Sequence, residues 1–362
     1  MNKQTSTYSK STKSLIFIML LVAIPISILT FTFLFLNETY VQAEEPNSTA
    51  QIDPNVIVYW KELSNFQTND FAIDPINSAN IYAASDLPPG IVLSHDYGAT
   101  WTAKLDGFNG DVVAVDPMSP NYVYLGVSAG IMFRSADFGD NWERIDDDIA
   151  DGEYLSELYV HPITPTLLFA GAYTSPEIYR SDDRGETWSK ILLMPNPINR
   201  TVMQILSHPT IPNKMYALVK YEGIFVSEDA GLTWINTGVF ADSMAIDSSN
   251  PSIMYRSNCT PYRSIDGGMT WSELNSLQPC YDEIHIDPQD SNIVYLTSQY
   301  RRVTRSLDAG QTWQTLGEEF LSGPYSSSFA IDPVETSRLY VGPGVYVSTY
   351  LDKLIHLPAI MR

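Results

Sequence analysis

Six times this chain repeats Ser-x-Asp-x-Gly-x-Thr-Trp, starting at Ser94, Ser135, Ser181, Ser227, Ser264 and Ser306. The closing tryptophans (Trp101, Trp142, Trp188, Trp234, Trp271 and Trp313) stand 37 to 46 residues apart, and the second copy has Asn141 in place of the threonine. A unit of that length cannot bury its own faces, so the copies must stack on one another.

A second signature alternates with the first: an apolar stretch ending in Asp-Pro or a close substitute. Its seven copies are Asp74-Pro75, Asp116-Pro117, His161-Pro162, His208-Pro209, Asp247-Ser248, Asp287-Pro288 and Asp332-Pro333. Trp60 supplies a further tryptophan ahead of the first copy. Ser348 marks a degraded seventh serine position that lacks the Asp and Gly. Each unit reads as four short strands; in the second they are 101–105, 112–115, 122–127 and 131–135, separated by Gly, Pro and Asp punctuation. The fold class is therefore all-β, a seven-bladed β-propeller, since stacking around an axis leaves only short, protected edges.

The box is chemistry for a turn between a blade's third and outermost strands. Its carboxylate accepts hydrogen bonds from turn amides, its Gly takes a positive φ, and its Trp anchors the outer strand. Asp96, Asp137, Asp183, Asp229, Asp266 and Asp308 are accordingly read as structural, because six copies around a rim cannot converge on one substrate. His161 and His208 stand where other repeats have Asp and take the same turn-stabilising role. His285 faces the channel from an innermost strand.

The pattern resembles the Asp-box, or BNR, repeat shared by sialidases, xyloglucanases, sortilin-type receptors and photosystem II assembly factors. The resemblance covers roughly residues 57–350 and implies a propeller in which the boxes are scaffolding. It is similar in blade count to exported bacterial propellers and to the assembly factors. The arginine motif that the resemblance to sialidases would imply is absent, and the repeats make one propeller where xyloglucanase-type enzymes pair two across a cleft.

Lys3, Lys10 and Lys13 precede an uncharged apolar run from Leu15 to Leu36, long enough to span a bilayer, and Glu38, Glu44 and Glu45 follow it. The positive flank stays in the cytoplasm, so the remainder is exported. Residues 15–36 serve either as a membrane anchor or as a signal peptide cleaved after Ala43, where Val41-Gln42-Ala43 offers small residues. The expected organisation is 1–43 signal or anchor, 44–56 linker, 57–353 propeller and 354–362 tail. A formal net charge of −21 excludes nucleic-acid binding, which needs clustered Lys and Arg. Contact with a membrane is expected only through the N-terminal segment, and the protein is expected to be a monomer. Cys259 and Cys280 fall in connections on one face of adjacent blades, in a compartment that permits oxidation, and are expected to form a disulfide.

Links between blades and second-to-third connections share the face opposite the boxes. Counting back four and five residues from each Asp-Pro position gives a ring at the channel mouth that contains Asp70, Asp111, Glu157, Asp242, Asp282 and Glu283. Such acids could hold calcium or another hard cation, draw a basic partner, or supply the carboxylates of glycoside hydrolysis, with Glu157, Asp282 and Glu283 as catalytic candidates; solvated surface acids are the plain alternative. Tyr221, Arg301, Arg302, Phe320 and Tyr325 are binding-face candidates on the same side. Arg200, Arg263 and Arg302 form a conceivable anion triad.

The expected role is noncatalytic binding of a protein or a surface polysaccharide through the loop face, with no cofactor required. The alternative is a glycoside hydrolase or carbohydrate-binding protein using the channel-mouth carboxylates. A structural cell-envelope module is a third reading. No dinucleotide or phosphate-loop motif is present.

Overall fold

The computed structural model describes residues 57–64, 66–87, 89–146, 148–149, 152–194, 200–275, 280–298, 302–316, 328–342 and 345–351. The expected anchor or signal segment, the linker before residue 57 and the tail 354–362 lie outside the described residues. Seven four-stranded antiparallel sheets form the blades, the first six running in chain order from innermost to outermost strand. Blade 1, for example, comprises Gln67–Ile73, Ile81–Leu87, Pro89–Ser94 and Thr102–Lys104. Blade 7 takes three strands from the C-terminal end of the propeller and its outer strand, Ile57–Ser64, from the N-terminal end. Trp60 sits opposite Ser348 in that pairing, and its indole donates to the Leu316 carbonyl of blade 6 at 3.1 Å. The circle is thus closed by hydrogen bonds between the two ends.

The core lies between blades rather than within them. Seven apolar clusters occur among the described residues, one at each seam. Alternation along a strand produces this: Tyr124 packs toward blade 3, whereas its neighbours Val123 and Leu125 pack toward blade 1.

The boxes repeat one hydrogen-bond pattern. In the first, the Ser94 hydroxyl accepts from the Gly98 amide and donates to Asp96, both at 2.8 Å. Asp96 then accepts from the Thr100 amide at 2.8 Å and its hydroxyl at 2.7 Å, which holds the carboxyl at about 2. In the second copy the Asn141 side-chain amide donates to Asp137 at 2.7 Å, replacing the hydroxyl donor and explaining the tolerated change. The residue before each box glycine has a positive φ at Tyr97, Phe138, Arg184, Ala230 and Ala309, and the preceding blade grips four of these residues by their carbonyls. Tyr82 donates to Phe138, Arg134 to Arg184, Arg180 to Ala230 and Tyr255 to Ala309, at 2.8–3.3 Å. Each such box is therefore part of a seam as well as a turn.

The Asp-Pro turns are equally regular. Asp74 accepts from the Ile76 and Asn77 amides at 2.8 and 3.0 Å, and His161 Nδ1 accepts from Ile163 and Thr164 at 3.3 and 3.0 Å. An unprotonated ring nitrogen does here what a carboxylate does elsewhere, and burial lowers the His161 pKa in keeping with that role.

Cys259 and Cys280 are joined in a disulfide spanning 21 positions, beside a bridge in which the Tyr281 amide donates to the Cys259 carbonyl at 3.0 Å. It ties the second-to-third hairpin of blade 5 to the link entering blade 6. A loop of this size constrains the unfolded chain by roughly 3 kcal/mol. Reduction, or a Cys259→Ser/Cys280→Ser variant, is expected to lower the melting temperature by several degrees; an unchanged melting temperature in calorimetry would remove the bond from the stability account.

Candidate functional site

The innermost strands of blades 1 to 4 carry a register irregularity near their starts that those of blades 5 and 6 lack. The pairing skips Asn69, Asp111, Ser156 and Met203, so each is the extra residue of a bulge. A bulge kinks the strand and re-aims the inserted side chain. All four line one cavity of about 730 Å³ at the loop-side mouth of the channel. A second cavity of about 310 Å³, walled by innermost-strand residues of blades 4 to 7, lies alongside, with His285 on the wall of both.

Of the ring acids, Asp70, Asp111, Glu157 and Glu283 line the larger cavity, whereas Asp242 and Asp282 do not. Counting back along the chain treats all blades alike, but the innermost strands of blades 5 and 6 begin at Ser243 and Glu283 without a bulge. Asp242 and Asp282 therefore stay in the links, where their amides pair with Ser257 and Thr297 carbonyls.

In four blades the position four before the Asp-Pro is a strut to the next blade. Asp70 accepts from the Val113 amide at 2.9 Å, Glu157 from Ile205 at 3.4 Å, Gln204 from Met244 at 2.8 Å and Ser243 from Ile284 at 3.1 Å. In every case the donor is one residue beyond the equivalent position in the next blade. Glu283 instead meets His285 Nε2 at 3.1 Å and the Thr297 hydroxyl at 3.4 Å. His285 in turn packs on Phe329, with ring centroids 4.8 Å apart.

Burial pushes the Asp70 carboxyl up to about 6, with the Glu283 charge adding, while amide bonds from Val113 and Phe71 pull the other way. Glu157 is driven well above its ordinary range by burial and then by Asp70 and Glu283. Asp111 rises to about 7 through burial, with Asp86 adding. One oxygen of Asp111 is buried without a protein partner. Asp86 itself is held by the Asn69 side-chain amide at 3.1 Å. Near neutral pH Asp70 is largely ionised while Asp111 is still partly protonated, so the floor presents donors as well as acceptors. Among the described residues, no three of His, Cys, Asp and Glu are grouped to hold a metal ion.

Three residues that counting along the chain did not single out complete the site. Tyr154 and Tyr173 line the cavity while remaining 48% and 57% exposed. They flank the innermost and second strands of blade 3, and the Tyr173 amide donates to the Tyr154 carbonyl at 2.7 Å. Asp86, the third, is the last residue but one of the second strand of blade 1, and it joins the site through Asn69 and Asp111 rather than by lining the cavity. Tyr221 is exposed at the tip of the blade 4 hairpin. Arg302 opens the third strand of blade 6, and its side chain, like Arg301, Phe320 and Tyr325, lies outside the described residues. The anion triad does not assemble. Arg200 stands at the loop-face entry to blade 4, paired with Glu222 at 2.7 Å, whereas Arg263 lies beside a box serine at the other end of blade 5.

Residues 178–191 match the family model of the BNR-Asp box repeat. This is an Asp-box propeller. Among curated proteins it is 25% identical over 309 residues to the xyloglucanase Xgh74A of Acetivibrio thermocellus, an alignment covering 66% of this chain and 37% of that enzyme. The chain thus spans well under two thirds of that relative's length. Among solved structures, the GH74 xyloglucanase from Xanthomonas campestris superposes with a TM-score of 0.66 at 19% identity, covering 83% of this chain and 54% of that one. YCF48 from Cyanidioschyzon merolae superposes with a TM-score of 0.58 at 14% identity, covering 82% and 99%. These likenesses concern the Asp-box fold.

Proposed function

We propose that this propeller works outside the cell as a noncatalytic binding protein for a β-glucan chain of the xyloglucan type, received by the cavity on its loop face. The observation that carries the reading is the pair of exposed tyrosines, Tyr154 and Tyr173, on the wall of a cavity whose floor is lined by the carboxyl groups of Asp70, Asp111, Glu157 and Glu283. Flat rings suit the apolar face of a sugar, and mixed donors and acceptors suit its hydroxyls. A chelating site would need ionised carboxylates grouped around one point. The xyloglucanase relatives supply the choice of glycan, and the apolar run Leu15 to Leu36 supplies the export. Binding without cleavage is favoured because Asp70 and Glu157 are occupied as struts between blades.

One observation supports hydrolysis as a second reading. Burial pushes the Asp111 carboxyl up to about 7, with the Asp86 charge adding, and a carboxyl that keeps its proton near neutrality beside a second carboxylate is what the acid in glycoside cleavage requires.

Both readings meet in one experiment. In affinity electrophoresis through a gel containing xyloglucan, the wild-type protein is expected to be retarded and a Tyr154→Ala/Tyr173→Ala variant to run freely. Migration of the wild type unaffected by the polymer would sink the binding reading. Reducing-end release by the wild type that is lost in both Asp86→Asn and Asp111→Asn would replace it with the hydrolase.

A further inference from the structure

The rim of the cavity continues outward from blade 3 to blade 4 through a series of hydrogen bonds. The Tyr173 carbonyl accepts the Thr201 hydroxyl at 2.6 Å, and the Thr201 carbonyl accepts the Lys220 amide at 2.9 Å. The residue after Lys220 is Tyr221, at the tip of the hairpin joining Ile211–Val219 to Gly223–Ser227. Its φ is 67°, a left-handed conformation that a bulky side chain rarely adopts and that Gly or Asn would fill more easily. Tyr221 is 66% exposed, more than any other tyrosine among the described residues whose exposure is large. Arg200 and Lys220 stand 5.7 and 5.5 Å from the ring centre, and Arg200 is fixed by Glu222, so the ring is braced while its surface stays open. Ala129 and Cys259 take the same left-handed conformation at the equivalent hairpin tips of blades 2 and 5, so the turn explains the backbone but not the choice of a large aromatic ring displayed to solvent.

We propose that Tyr221 is an outer sugar platform, so that the loop face takes a long glucan chain laid from the cavity across blades 3 and 4. This rests on the glucan-binding reading and adds to it the class of ligand: an extended polymer rather than a short oligosaccharide held by the cavity alone. The arrangement provides two separated contacts along one chain. The second contact then strengthens binding only for chains long enough to reach it.

The test is calorimetric titration of the full-length protein with xyloglucan oligosaccharides of increasing length. Wild-type affinity is expected to rise with length. Tyr221→Gly, which removes the ring and relieves the backbone, is expected to weaken the longest chains roughly three- to tenfold while leaving the shortest unchanged. Tyr221→Phe is expected to retain the gain. Equal affinity of Tyr221→Gly and wild type for long chains, or an equal loss at every length, overturns the outer platform. Binding that does not depend on length does the same while leaving the cavity reading intact. Binding of no length by the wild type ends both.

Discussion

Gly110→Ala is expected to cost roughly 3 kcal/mol of stability, among the largest effects of any single methyl group in this protein. Gly110 opens the innermost strand of blade 2, and a Cβ there would lie 2.1 Å from the Gly90 carbonyl oxygen, 2.8 Å from the Ser85 amide nitrogen and 3.1 Å from the Ala84 Cα. All three are backbone atoms of blade 1, so no side chain can rotate away. The blade 1 hairpin must move as a unit. Gly126→Ala makes the comparison, since its Cβ would meet the side chains of Val112 and Leu155, which can shift. Urea denaturation of the two variants should show the first far below the second. Because the Gly110 carbonyl also accepts from Asn69 at 2.8 Å, next to the Asp111 bulge, the damage should extend to glucan binding. A Gly110→Ala protein as stable as wild type would mean that the two blades are not in backbone contact.

The second large effect is a loss of stability as pH rises from about 4 to about 7. Asp70 titrates at about 6 and Asp111 at about 7 in the folded protein, against 3.8 ordinarily. Between those values the native state keeps protons that the unfolded chain has released. Stability then falls with pH, because the unfolded state binds fewer protons. The contribution is fully present below about 4 and gone above the folded values. Asp70 alone accounts for about 3 kcal/mol. The box carboxylates act in the opposite sense and in another window: Asp96, Asp229 and Asp266 are held at about 2 by their Thr and Ser partners. Their contribution is present above about 4 and lost as pH falls toward 2. Thermal stability should therefore peak near pH 4 and decline toward neutrality. An Asp70→Asn/Asp111→Asn variant should flatten the neutral limb and melt higher than wild type at about pH 8. A wild-type melting temperature that is level or rising from about pH 5 to pH 7 contradicts the buried acids.

Most of the fold was legible because it is periodic. The spacing of the six boxes and the seven Asp-Pro turns implied seven blades. Trp60 and Ser348 supplied the seventh tryptophan and the degraded seventh serine, and the strand pairing sets the two opposite each other in the last blade. The Cys259–Cys280 pairing followed from their places in adjacent connections. The site was legible only in part. Counting back from the Asp-Pro turns brought out Asp70, Asp111, Glu157 and Glu283, but it set Asp242 and Asp282 beside them. It passed over Tyr154, Tyr173 and Asp86, which carry no repeated spacing.

What the sequence determined by itself is the path of the chain through each blade, because turn chemistry is local and the Ser, Asp, Gly and Trp of a box act on residues within a few positions. Which side chains meet in the cavity was decided by the tertiary structure. Asp111 enters it because pairing of Gly110–Val115 with Val123–Val127 leaves one residue over, and Asp242 stays out because Ser243–Ile246 pairs without a bulge. A bulge is a property of two strands in register, and the protonation of Asp70 and Glu157 depends on burial among blades far apart in sequence. Neither quantity is carried by the residues of a single repeat.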